Sequence, residues 1–266
     1  MNNIRIAVSG ARGRMGREVC RTVLEDPGLE LVGAFDISGQ GEDVGTLAEK
    51  AETGIVITGL SKDALKACRA QVMVDFSTPM AVMNNIGLAL ECGVRPVVGT
   101  TGITQADLEQ IQNKVSETGL GAVVAPNFAL GAVLMMKFSA IASRYFPQAE
   151  VIEMHHDKKI DAPSGTALKT AEMIASARTE KPETREDLLK LAGARGAVQD
   201  LVHIHSVRLS GLIAHQKVIF GGLGQTLTIR HDSYDRNSFM PGVVLAVKHV
   251  VKTPSLIYGL ENLIDF

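Results

Sequence analysis

Ile4-Arg5-Ile6-Ala7-Val8-Ser9-Gly10-Ala11-Arg12-Gly13-Arg14-Met15-Gly16 is the stretch that decides how the chain folds. A short apolar run, residues 4 to 10, ends in Ser-Gly and reads as a buried strand. Gly10, Gly13 and Gly16 then follow in a G-x-x-G-x-x-G spacing, and a helix is predicted from about Gly13 to Glu25, stopped by Asp26-Pro27-Gly28. Residues 29 to 36 form a second strand, and its terminal Asp36 lies twenty residues past Gly16. Strand, glycine turn, helix, strand and acid is the order of a dinucleotide-binding unit. The turn lets backbone approach a pyrophosphate, the helix N-terminus offers N–H groups and a positive dipole end, and the acid can hydrogen-bond ribose hydroxyls. The glycines alone would equally describe a plain strand-turn-helix; the context gives them meaning.

Outward from this unit the alternation continues. Residues 53 to 58 suggest a short third strand. Val72 to Phe76 is a buried strand, and Ser77-Thr78-Pro79 opens a helix through about Glu91. Pro96 to Gly99 and Gly121 to Ala125 are strands flanking a helix from Thr104 to Glu117. Strands alternating with helices imply an α/β fold, a doubly wound parallel sheet with helices on both faces. In such a sheet the strand ends Gly99-Thr100-Thr101-Gly102 and Ala125-Pro126-Asn127-Phe128 share the ligand-bearing edge; either alone can be an ordinary loop.

After about residue 128 the pattern changes. A buried helix from about Gly131 leads to a strand over Ala149 to His155 and a helix from about Ser164 to Ala177. Residues 178 to 197 read as an exposed, partly mobile segment. Alternating runs at Val202 to Leu209, His215 to Phe220 and Thr226 to Arg230 predict a mixed or antiparallel sheet, and Phe239 to Val251 a closing helix. The expected division is residues 1-128 plus about 240-266 as a dinucleotide-binding domain. Residues 129-239 form a second, α+β domain for substrate binding and oligomerisation.

The second domain carries the run Glu153-Met154-His155-His156-Asp157-Lys158-Lys159-Ile160-Asp161-Ala162-Pro163-Ser164-Gly165-Thr166-Ala167. A helix entered through Ser-Gly-Thr presents backbone N–H groups to an anion, Lys159 adds a positive charge, and a histidine exchanges protons near neutral pH. Each half alone is an ordinary strand end or turn; together they point to a small ligand carrying carboxylates or phosphates. Adjacent histidines on a strand face opposite ways and chelate poorly. His203 and His205 share a face without an evident third ligand, so no metal is expected.

Composition limits the remaining classes. The 266 residues are 45% hydrophobic with a net charge of −2, which gives no basic field for nucleic acid or a membrane surface. Three separated cysteines, Cys20, Cys68 and Cys92, suit a reducing cytoplasm, and MNNIRIAVSG has no signal-peptide pattern. Residues 121 to 142 are apolar for about the length of a membrane span, but Pro126, Asn127 and Lys137 interrupt them.

The segments VSGARGRMGRE, VDFSTP, VVGTTG, APNFALG, EMHHDKKIDAPSGTA and IRHDSYDRNSF, spread from residue 8 to 239, resemble the 4-hydroxy-tetrahydrodipicolinate (dihydrodipicolinate) reductase family. The stretch His155 to Thr166 carries most of that likeness. The resemblance implies a Rossmann-type domain completed by the C-terminal helices. It also implies a substrate domain whose sheet drives a homotetramer, and reduction of the dicarboxylate ring to tetrahydrodipicolinate by NAD(P)H in diaminopimelate and lysine biosynthesis. By resemblance His155 is the acid/base histidine and Lys159 the proton donor. His156, Lys159, Gly165 and Thr166 bind substrate carboxylates, Ser164 opens that turn, and Arg236 has a substrate-side role. Gly10, Ala11, Arg12, Gly13, Arg14, Met15, Asp36, Gly99, Thr100, Thr101, Ala125, Pro126, Asn127 and Phe128 contact the cofactor.

Three departures stand out. Many family members follow the acid with an arginine suited to a 2′-phosphate, whereas Asp36 is followed by Ile37, so NADH is expected to be favoured or used alongside NADPH. Residues from about 178 to 200 and the segment GLIAHQKVIF also differ. Two rivals remain on the residues alone. A semialdehyde dehydrogenase needs a cysteine nucleophile, and none of the three lies near the anion-binding segment. A non-catalytic dinucleotide sensor has no use for His155 and Lys159.

Overall fold

The computed structural model describes residues 3–183 and 188–264. In chain order the elements are β1 (Ile4–Ser9), α1 (Arg14–Glu25), β2 (Leu29–Phe35), α2 (Val44–Leu47), β3 (Ile57–Thr58), α3 (Lys62–Ala67), β4 (Val72–Asp75), α4 (Pro79–Glu91), β5 (Arg95–Val98), α5 (Gln105–Thr118) and β6 (Ala122–Val124). Then follow α6 (Leu130–Ala142), β7 (Gln148–His155), α7 (Gly165–Ala177), β8 (Ala197–Gln199), β9 (Val202–Arg208), β10 (Ala214–Gly222), β11 (Gln225–Ser233), α8 (Met240–Val250) and β12 (Leu256–Tyr258). The chain divides into two compact units, Met1–Phe128 with Phe239–Phe266, and Ala129–Ser238.

The first unit is built on a seven-stranded sheet in the order β12-β6-β5-β4-β1-β2-β3, with every pairing parallel. Its strands are apolar on both faces because helices cover both: Ile6, Ala7 and Val8 of β1 are fully buried, as are Val72, Met73 and Val74 of β4. From β1 the chain runs outward to β2 and β3, then returns to place β4 on the other side of β1. The crevice between the β1 and β4 loops is the switch point at which such sheets hold ligands.

The expected third strand contracts to Ile57–Thr58 for a local reason. Asp43 accepts the N–H groups of Thr53 (3.2 Å) and Gly54 (2.8 Å), and Gly54 has φ +76°, so that backbone bends instead of pairing. The same carboxylate caps α2, a one-turn helix that the apolar pattern did not announce. Strand β12, only three residues long, extends the sheet edge beside β6.

The second unit carries a five-stranded mixed sheet in the order β11-β10-β7-β9-β8. β7 pairs parallel with β9 and antiparallel with β10. α6 packs on α7, and α7 lies on β7 and β9. One face of β7 is therefore buried, with Val151 and Glu153 both inaccessible. In the segment expected to be exposed over residues 178 to 197, residues 184 to 187 lie outside the described residues. The segment ends by entering β8, which pairs with β9. Residues 121 to 142 resolve into β6, a loop and the thirteen-residue α6. No described helix is long and apolar enough to cross a membrane.

Candidate active site

In the first unit the glycine turn is built by close approach. Gly10 leaves β1 with φ +76°, and a Cβ there would lie 2.5 Å from the Phe76 carbonyl oxygen. A Cβ on Gly16, in the first turn of α1, would lie 2.0 Å from the Gly10 oxygen. Gly13 differs: it caps α1 at φ −64°, and a Cβ would meet only the Gly10 oxygen, at 3.1 Å. No side chain caps the first turn of α1, which leaves its N–H groups for an anion. A cavity of about 770 Å³ opens here, bringing Gly10, Arg12, Gly13 and Asp36 together with Ser77 and Asn85. Glycines demanded by backbone contact, an uncapped helix start and an acid on the wall fit a nicotinamide dinucleotide.

Asp36 is fixed on both oxygens. Oδ2 accepts the Arg12 N–H at 3.1 Å, and Oδ1 accepts the Ser38 N–H and hydroxyl, each at 3.1 Å. The Arg12 guanidinium pairs with Glu42 at 3.1 Å, and that hydrogen bond raises its pKa. Ala11 is buried beneath the turn, Met15 is half-buried, and Arg14 is exposed.

The strand-end residues stand at the same edge of the sheet but do not line this cavity. A Cβ on Gly99 would collide with the Phe76 ring at 2.1 Å, so Gly99 admits that ring. Thr100 turns inward, its hydroxyl donating to Asp75 at 2.7 Å, while Thr101 is exposed. Ala125 and Phe128 are buried, Phe128 against Phe76 at a ring separation of 5.8 Å, and Pro126 is exposed beside half-buried Asn127.

Asp75 was missed by the sequence reading. It is fully buried at the end of β4, with Oδ1 accepting from Ser77 N (3.0 Å), Ser77 Oγ (2.7 Å) and Thr100 Oγ1, and Oδ2 from Asn85 at 2.8 Å. It ties the loops after β4 and β5 together. The available signal was an acid closing an apolar strand just before Ser-Thr.

In the second unit, β7 ends at His155. Its Nδ1 lies 2.5 Å from Glu153 Oε2. Burial pushes the Glu153 carboxyl up, yet hydrogen bonds from Arg208, Ser206 and His155 hold it below its ordinary value, so it stays ionised. An ionised carboxylate only accepts, so Nδ1 carries the hydrogen. Burial depresses the His155 pKa; Glu153 opposes this, and the charges of Lys159 and Arg208 add to the depression. The imidazole is therefore neutral near pH 7.

Lys159 Nζ reaches both oxygens of Asp161 at 2.8 Å. The Ser164 hydroxyl caps α7 by accepting from Ala167 N at 3.3 Å, and the Ser164 N–H donates to Glu153 at 3.2 Å. Gly165 and Thr166 follow this cap as the first two residues of α7. A Cβ on Gly165 would meet nothing within 4 Å, so the space beside it is open. His156 is exposed, and exposed Arg236 opens the 3-10 turn Arg236–Phe239. His203 Nδ1 bonds the Arg195 carbonyl (2.7 Å) and His205 Nε2 bonds Glu150 (2.8 Å).

Residues 4–128 match the family described as dihydrodipicolinate reductase, N-terminus, and residues 131–264 the one described as dihydrodipicolinate reductase, C-terminus. The chain belongs to the dihydrodipicolinate reductase family. The 4-hydroxy-tetrahydrodipicolinate reductase of Desulfitobacterium hafniense is 52% identical, with all of both chains covered. That of Bacillus velezensis is 51% identical over 98% of each. A solved dipicolinate-bound dihydrodipicolinate reductase from Paenisporosarcina sp. TG-14 superposes with a TM-score of 0.87 at 46% identity, covering 98% of this chain and 100% of that one. As a dihydrodipicolinate reductase family member the chain is an oxidoreductase using a nicotinamide cofactor.

Proposed function

We propose that this chain reduces 4-hydroxy-tetrahydrodipicolinate to tetrahydrodipicolinate, the reductive step on the ring in diaminopimelate and lysine biosynthesis. The observation that carries the reading is the placing of His155, Lys159 and the start of α7, with open space beside Gly165, within one segment. It joins an acid/base group, a lysine cation and a helix start suited to a dicarboxylate.

Gly10 to Met15 and the start of α1 would hold the cofactor, with Asp36 receiving the adenosine ribose and the strand-end residues Gly99 to Thr101 and Ala125 to Phe128 shaping the sheet edge. When bound, it supplies a hydride for C4 of the ring. The chain's residues do the rest. Gly165 and Thr166, together with His156 and Lys159, hold the ring carboxylates, and Arg236 adds charge on the substrate side. Lys159 exchanges Asp161 for a substrate carboxylate. Loss of water from the 4-hydroxy ring leaves a conjugated imine; hydride at C4 leaves an enamine, which takes one proton at C3. Lys159 donates that proton and His155, through Nε2, assists its transfer. The dianion offsets the cationic field that keeps the free imidazole neutral, and so favours the imidazolium when substrate is present.

Asp36 favours a free 2′-hydroxyl. Arg12 is already engaged by Glu42 and Ile37 is exposed without charge, so NADH is used at least as well as NADPH. The exposed outer strand β11 and the mixed sheet of the second unit support assembly as a homotetramer, and the cytoplasm is the compartment proposed for it.

Purified chain, supplied with the product of a dihydrodipicolinate synthase, oxidises NADH or NADPH only while that product is present. A folded sample that oxidises neither rejects the assignment.

A further inference from the structure

The carboxylate of Glu153 is wholly inaccessible, yet it meets groups from three parts of the second unit. Arg208, on β9, places Nη2 on Oε1 at 2.8 Å and Nη1 on Oε2 at 2.9 Å. The same carboxylate takes His155 Nδ1 and the Ser164 N–H. Arg208 Nη2 also donates to the Asp161 carbonyl at 2.7 Å, and Nη1 to Val207 O at 2.8 Å. One guanidinium thus joins β7, β9 and the loop that carries Lys159. Its Nε is buried without an acceptor. A buried ion pair loses hydration on both partners, and apolar residues of like volume would serve packing as well. Stability therefore does not account for it; control of the neighbouring imidazole and loop does.

We propose that Glu153 and Arg208 are positioning residues for the reductase reaction, a buried pair that fixes His155 with Nδ1–H inward and Nε2 outward and holds the loop of Lys159 and Asp161 beside it. This rests on the reading that His155 and Lys159 handle the substrate. The pair also sets the charge felt by the imidazole. The charged groups that act on His155 are Glu153 on its own strand, Arg208 from β9, and Lys159 from the loop; β10 presents Ala214 opposite it, and α7 opens with uncharged Gly165-Thr166-Ala167. With Arg208 balancing Glu153, the imidazole stays neutral. Without Arg208, it becomes the only cation that Glu153 touches among the described residues.

The test is an NMR titration of His155 in the free, full-length chain, so its outcome does not depend on turnover. Arg208→Met raises the His155 pKa by about one unit or more, and Glu153→Gln, which keeps an acceptor oxygen but no charge, lowers it by a similar amount. Arg208→Lys keeps the charge but not the fork. It leaves the His155 pKa nearly unmoved while kcat falls by a factor on the order of 10 and NADH affinity is retained, because the Asp161 carbonyl loses its second anchor. Shifts of the same sign in Arg208→Met and Glu153→Gln, or no shift in either, overturn the proposal. If Arg208→Met does not fold, Glu153→Gln and Arg208→Lys decide it alone: a lowered pKa in the first with an unmoved pKa in the second upholds it, and any other pairing overturns it. Failure of the substrate reading is distinguishable, since it leaves these shifts intact and abolishes turnover in the unsubstituted chain.

Discussion

The two units build their candidate sites from different materials. The dinucleotide crevice is made of backbone: Gly10 and Gly16 are glycine because a Cβ would strike main-chain atoms, and α1 offers bare N–H groups. The segment from Glu153 to Thr166 is made of polar and charged side chains: a carboxylate, an arginine, a lysine and a histidine whose pKa is lowered first by burial and is acted on by the other three charges. A backbone cradle binds whatever carries a pyrophosphate and is insensitive to pH. A charge cluster suits one dianion and, on the proposed function, moves protons. Binding of the cofactor and proton transfer are thereby assigned to different segments, which substitutions can separate.

The largest effects belong to the charged half. His155→Ala lowers kcat by a factor on the order of 10² to 10⁴, and Lys159→Ala lowers kcat and also raises substrate KM, as the proposed double role of Lys159 in binding and proton donation requires. Steady-state kinetics with the synthase product check both. A smaller effect comes from the backbone half. Gly13 is the turn glycine whose Cβ the protein itself nearly tolerates, so Gly13→Val leaves the fold intact and weakens NADH by about tenfold or more, or about 1.4 kcal/mol, in a direct titration.

Smaller again is cofactor choice. Asp36→Ala removes the charge facing a 2′-phosphate, and the NADPH-to-NADH ratio of kcat/KM rises by several-fold; an unchanged ratio would move cofactor choice away from Asp36. The smallest effect is in stability against pH. His155 and His231 have folded pKa values pushed below the ordinary histidine value, first by burial. The unfolded chain therefore binds these protons more readily. Their contribution is complete above pH ~6.5 and is lost as the pH falls through that value toward the folded pKa. The urea midpoint should drop between pH 7.5 and 5.5, and less so in His231→Gln.

Legibility in sequence followed the same division. The crevice was readable because its parts are local: Gly10, Gly13 and Gly16 lie within one turn, and Asp36 ends the next strand. The parallel sheet was readable from apolar runs, whereas α2 and the shortened β3 were not, because the Asp43 carboxylate rather than any hydrophobic period builds them. In the charged half, residue types announced His155, Lys159 and the Ser164 cap. Arg208 was silent. It reaches Glu153 from 55 positions away along the chain, through the parallel pairing of β7 and β9, and within VHIHSVRL it reads as one more polar strand residue. Asp75 was silent for the same reason, as its partners Asn85 and Thr100 arrive from separate elements.

The division of labour is tested most directly by titrating NADH into His155→Ala and Gly13→Val side by side and measuring kcat for each at saturating NADH and substrate. The account predicts a crossed result: His155→Ala binds NADH like the parent chain and turns over slowly, while Gly13→Val binds NADH poorly and recovers most of its kcat once saturated. If His155→Ala keeps a near-normal kcat, or loses NADH affinity as Gly13→Val does, the assignment of binding to the glycine crevice and proton transfer to the charged segment is contradicted.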